Sequence, residues 1–147
     1  MRMLLPPIAK WAPAFAGVTA IMIVAAHAQS TTPLDLNAVD PALLEGFFGP
    51  WRVQNADGSK TCDVKLSREE TIGGMVIDVA PDCAKAFPVM DEVAAWRLYE
   101  NFEIVFADAT RKELIRFFTP DESYVATPEV DGIATILQVS DELTPAQ

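Results

Sequence analysis

Thr61-Cys62-Asp63-Val64-Lys65-Leu66-Ser67 alternates apolar and polar side chains with a period of two. Successive side chains of a strand point to opposite faces, so this spacing puts Cys62, Val64 and Leu66 on an inward row and Asp63, Lys65 and Ser67 on an outward one. The same period recurs on both sides. Trp51 and Val53 alternate with Arg52 and Gln54, and Asn55-Ala56-Asp57-Gly58 carries the residues of a tight turn. After Gly73-Gly74, which starts a strand, Met75, Ile77 and Val79 form the next inward row with Asp78 pointing the other way. Trp96 and Leu98 alternate with Arg97 and Tyr99, and Phe102, Ile104 and Phe106 alternate with Glu103. Asp108-Ala109-Thr110 turns the chain into the apolar run 113–118; residues 124–127 make a short strand that Pro128 stops, and Asp131-Gly132 turns into the run 134–139.

About eight short strands joined by tight turns, with no helix long enough for a crossover, predict antiparallel pairing throughout. A sheet of that length avoids exposed edges best by closing on itself, so the fold class expected is all-β, a small eight-stranded up-and-down barrel ahead of an open sandwich. Two short helical elements complete it. Asp40-Pro41-Ala42-Leu43-Leu44-Glu45-Gly46 has an N-cap residue, a Pro at the first helical position and a Gly past the end, and residues 83–87 predict a single turn before Pro88.

The first residues read as a leader. Arg2 and Lys10 precede an uncharged apolar stretch from Ala12 to Ala26, and Ala26-His27-Ala28 has the small-x-small pattern of a cleavage site, placing the mature start at Gln29. An uncleaved membrane anchor is the alternative; it needs roughly 20 apolar residues, more than this run supplies. No Cys follows the run to receive a lipid. The expected organisation is a signal peptide over 1–28, an N-terminal arm over 29–42 and a barrel domain over 43–147, exported to the periplasm or secreted, with no membrane span after processing. From Gln29 to Asp40 the chain is polar and interrupted by proline, which predicts an extended, mobile segment, with a disordered leader remnant as the bland alternative. Losing Arg2 and Lys10 takes the formal net charge from −10 to −12. A surface that acidic repels nucleic acid and anionic lipid, although solubility alone also accounts for it.

Chemistry is limited by what is missing. The single His of the sequence is His27, inside the leader, so the mature chain has no imidazole for acid-base work, nucleophilic triads or zinc ligation. Cys62 and Cys83 are most simply a disulfide in an oxidising compartment; a reactive thiol with a resolving partner is the rival, without a CxxC spacing to support it. Acidic residues are plentiful, and at outward or turn positions they read as a solvated surface rather than paired catalytic carboxylates. Trp51, Trp96, Phe102, Phe106, Phe117, Phe118 and Tyr124 read as core of a small filled barrel, with a ligand pocket as the alternative. The expectation is no enzyme, no metal and no cofactor.

The order Gly49-Pro50-Trp51, Cys62-Asp63-Val64-Lys65-Leu66, Cys83, Trp96-Arg97 and Asp131-Gly132 resembles the bacterial alkaline protease inhibitor (Inh) family over roughly residues 43–139. That resemblance implies an eight-stranded barrel, a disulfide joining Cys62 to Cys83, and an inhibitor of secreted serralysin-type zinc metalloproteases; a monomer is expected. It also implies that the N-terminal segment enters the protease cleft with its free amine near the catalytic zinc. Carried over, the inhibitory arm falls on Gln29, Ser30, Thr31, Thr32 and Pro33, with Trp51 and Trp96 as framework. The stretch ahead of Trp51 is several residues longer than in typical members. A small-molecule-binding barrel and a structural envelope module are the rival readings of the same fold.

Overall fold

The computed structural model describes residue 17 and residues 32–139, so the expected leader and its cleavage point lie outside the described residues. Eight strands close an antiparallel barrel in sequence order: β1 (Gly49–Asn55), β2 (Thr61–Thr71), β3 (Gly74–Val79), β4 (Ala95–Leu98), β5 (Ile104–Ala107), β6 (Glu113–Phe118), β7 (Tyr124–Val130) and β8 (Ile133–Gln138). β8 returns to β1 with Val53 opposite Ile136, while Val53 also faces Cys62 of β2. Each inward row then meets its neighbours on the same side of the pleat. Val53, Leu66, Trp96, Ile104, Phe106, Ile115, Phe117, Ile133 and Ile136 are buried and fill the interior, as expected for a barrel of this strand number.

A closed sheet still has two open mouths, and each is plugged by a short helical segment. At one, α1 (Pro41–Glu45) is capped by the Asp40 carboxylate, which accepts the Ala42 N–H at 2.9 Å, and buries Leu44. Phe47 and Phe48 follow it inward: Phe48 meets Trp96 edge-on at 6.0 Å, and the Trp51 indole N–H donates to the Phe47 carbonyl at 2.9 Å. At the other mouth, α2 (Cys83–Ala86) and a 3₁₀ turn (Pro88–Asp91) bury Phe87 and Met90. The Cys62–Cys83 disulfide, with Cα atoms 4.9 Å apart, fastens this second plug to β2, and the Val89 N–H donates to the Asp131 carboxylate at 2.6 Å.

Several local expectations are corrected. Pro128 does not stop β7, because it falls where the pairing with β8 shifts register between Val125 and Val130, and there its missing N–H costs no ladder bond. Phe102 is not an inward strand residue but sits at φ 63° in the β4–β5 turn, half-buried; Phe118 and Tyr124 are also only half-buried. Tyr99 and Glu103, read as outward residues, are buried at 6% and 5% exposure. The cause is a second layer over the outer face of β4 to β6. The β2–β3 hairpin folds across it, so that Gly73 lies against Ala95, Asp108 and Arg111, and the long side chains of Arg97 and Arg116 flank Val105. Every residue of β5 is consequently buried.

Gly74, at φ +155°, passes so close to β4 that a Cβ there would run into the Trp96 carbonyl. Gly74→Ala is expected to destabilise the fold by more than about 2 kcal/mol in urea unfolding, against a null effect if the backbone can move aside. Replacing both cysteines by alanine should lower stability by about 3 kcal/mol on the chain-entropy model, and an unshifted urea midpoint would show that the plug holds without its cross-link.

Candidate functional site at the arm root

The segment before α1 is strapped to the barrel rim. Pro33 bridges Tyr99 in antiparallel fashion, the Leu34 N–H donates to the Leu98 carbonyl at 2.9 Å, and the Glu100 N–H donates to the Thr32 carbonyl at 3.0 Å. The bonds flank Pro33, which sits at the non-hydrogen-bonded position of the pair, so the residue that lacks an N–H is where none is needed. Leu34 and Leu36 pack against the core. The Asp35 carboxylate then accepts the Asn37 N–H at 3.0 Å, turning the chain toward α1. The expectation of a mobile segment through Asp40 is therefore corrected from Thr32 onward: backbone pairing and two apolar anchors hold it. Gln29, Ser30 and Thr31 lie outside the described residues. Thr32 and Pro33, at the start of the strap, are exposed.

The rim that receives the strap is itself braced. Residues 99–103 turn with the Phe102 N–H donating to the Tyr99 carbonyl at 2.8 Å and the Tyr99 N–H to the Glu103 carbonyl at 3.0 Å. From inside, the Tyr124 hydroxyl donates to the Phe102 carbonyl at 2.9 Å, and Phe47 stacks on Phe102 with ring centres 5.8 Å apart. From outside, the Arg116 guanidinium forms a buried ion pair with Glu103, grips Glu113 through two bonds of 2.7 and 2.9 Å, and lies 4.8 Å over the Tyr99 ring. Hydrogen bonding to Glu113 and Glu103 holds the Arg116 pKa above its ordinary value despite the opposing cost of burial. Arg97 ties the same strip to the hairpin by donating to the carbonyls of Gly73 and Arg111, and it also meets the Tyr99 hydroxyl.

Sequence reading placed Trp51 and Trp96 correctly inside: both are buried, with their indole N–H groups on the carbonyls of Phe47 and Ser67. It missed Tyr99, Glu100, Glu103 and Arg116. The one local signal was a charge, Arg116, in the middle of the apolar run 113–118. A cleft of about 350 Å³ lies beside the strap, with Leu34, Leu36, Met75 and Trp96 in its lining. Among the described residues no group of three or more His, Cys, Asp or Glu side chains is placed to hold a metal ion, and both sulfurs are bonded to each other. No helix among those residues is long and apolar enough to cross a membrane.

These features define a small disulfide-bonded barrel domain with its N-terminal segment strapped to one rim. The family model described as "Protease inhibitor Inh" matches residues 43–138, and the chain belongs to that protease inhibitor family. The matched stretch begins after the strap, at α1. No match was found among curated proteins.

Burial raises the Tyr124 pKa from its ordinary value of 10.0 to about 12. The folded state thus favours the protonated phenol: its contribution is intact below pH 10 and is lost as pH climbs toward 12. Alkaline titration followed by tyrosinate absorbance is expected to show one of the two tyrosines ionising near pH 12, a phase that Tyr124→Phe removes.

Proposed function

We propose that this member of the family inhibits a secreted zinc metalloprotease of the serralysin type, outside the cytoplasm and as a monomer, by presenting its N-terminal arm to the protease cleft. The strap carries this reading. Thr32 to Leu34 are paired with Leu98, Tyr99 and Glu100, so the residue to which the arm joins is held at a fixed point of the rim. Gln29, Ser30 and Thr31 are the entering part, and Thr32 and Pro33 form its anchored base. Three extended residues reach about 10 Å, enough to thread a substrate cleft from its mouth. An extended arm can pair with a protease's substrate-binding edge, and a deprotonated terminal amine is a sound zinc ligand.

Charge favours the same use of this mouth. Asp35, Asp40, Glu45 and Glu100 are exposed around the strap, α1 and the β4–β5 turn, a setting that draws in a cleft with a positive rim or a metal. The interior filled by Trp96, Phe106 and Phe117 favours action through the surface over a ligand held within the barrel.

The test is a protease panel assay on the mature protein, with N-terminal sequencing to fix its first residue, beside a version that starts at Thr32. The shortened version keeps the strap, so its stability should match the parent. Its inhibition of a zinc metalloprotease is expected to fall by at least about a hundredfold. Full inhibition by the shortened version would move the contact to the barrel, and a panel left untouched by the mature protein would reject the reading.

A further inference from the structure

We propose that Arg116 is a positioning residue for the N-terminal arm, acting through Glu103 and Tyr99 to fix the rim on which the arm root is laid. The inference deepens the reading of the arm as the inhibitory element, and rests on it for its functional half only.

The geometry runs in four linked contacts. Arg116 is buried on the outer face of β6, where Val105 of β5 is its register partner. Its guanidinium pairs with the Glu103 carboxylate, and Glu103 is the residue whose carbonyl accepts the Tyr99 N–H at 3.0 Å. The same guanidinium lies over the Tyr99 ring, so one cation holds both ends of the 99–103 turn. Tyr99 is the backbone partner of Pro33, and its neighbours Leu98 and Glu100 make the two hydrogen bonds to the strap.

Phe102 sits in the left-handed region, at φ 63°, which a bulky side chain adopts only when its surroundings enforce it. A buried ion pair is weak evidence for overall stability, because desolvation offsets much of the attraction, and fixing one geometry is its better-attested use. Glu113 completes the fork on the guanidinium, leaving Arg116 fixed in direction as well as in charge. Among the described residues, two backbone bonds to Leu98 and Glu100 and the partly buried Leu34 and Leu36 tie the strap to the barrel, so its occupancy depends on a rim already in shape.

The test is amide hydrogen exchange on the whole mature chain. In Arg116→Met, exchange at Leu34 and Glu100 is expected to speed up by about tenfold, while the β1 and β2 amides change by less than about twofold. Should that variant not fold, Glu103→Gln keeps the shape and weakens the pair, and exchange at Leu34 and Glu100 should rise about threefold more than at β1. Unchanged exchange at Leu34 and Glu100, or an equal rise throughout the barrel, would overturn the proposal. The functional half is a double-variant cycle with the version starting at Thr32. Arg116→Met should weaken inhibition about tenfold in the mature chain and leave the shortened one unaffected; equal weakening in both would assign Arg116 to the barrel contact instead. If the mature chain inhibits nothing, the inhibitory reading fails, while the exchange measurement still decides whether Arg116 holds the strap.

Discussion

Closure of the barrel passes through one backbone pair. Met75 opposite Trp96 is the only register pair between β3 and β4, whereas every other neighbouring pair of strands shares at least two. The surrounding side chains are disposed to hold that single rung. Gly74 lets β3 approach the Trp96 carbonyl, the Trp96 indole N–H donates to the Ser67 carbonyl just past Leu66 of β2, and Arg97 grips the Gly73 carbonyl. Sheet edges cost little where they are short and covered. Because β3 pairs with β4 only at Trp96, the end of β4 and the start of the turn, Leu98 to Glu100, keep an edge that the strap takes.

Seen this way, the arm root and the barrel are one structure. The seam that closes the cylinder also sets where the N-terminal segment docks, and the strip of Arg97, Tyr99, Arg116 and Glu103 runs over the outside of both. Two arginines do different work in it. Arg97 donates mainly to backbone carbonyls and ties loops together, and Arg116 meets two carboxylates and an aromatic face. A planar five-donor group suits both tasks, and a lysine would serve neither geometry as well.

The barrel was legible because alternation is a local property. Val53, Val64, Leu66, Trp96 and Phe106 announce their inward direction within a few residues of sequence, and the same pattern repeated eight times leaves closure as the economical answer. The turns Asn55 to Gly58, Asp108 to Thr110 and Asp131-Gly132 were legible for the same reason, as was the cap at Asp40. What escaped was everything that depends on a layer outside the barrel. Tyr99 and Glu103 occupy outward positions and alternation rightly assigns them there. They are buried because Arg116, from a later strand, pairs with Glu103 and lies over the Tyr99 ring, while Pro33 bridges Tyr99 and Arg97 reaches its hydroxyl. The strap escaped for a related reason: Thr32 and Pro33 have a loop composition, and the residues that order them, Leu98 to Glu100, lie far along the chain on an edge that the barrel leaves open. The arm residues themselves came from family resemblance, and the matched stretch begins beyond them.

The place of Thr32 to Leu34 on β4 carries a meaning beyond reach and direction. An uncovered row of amides and carbonyls at Leu98 and Glu100 would be a template for the next chain, inviting strand-by-strand joining between molecules in a crowded compartment. Thr32 to Leu34 of the same chain fill that template. The same few peptide groups that steady the arm root thus leave that edge satisfied, with no bare backbone to offer a neighbour.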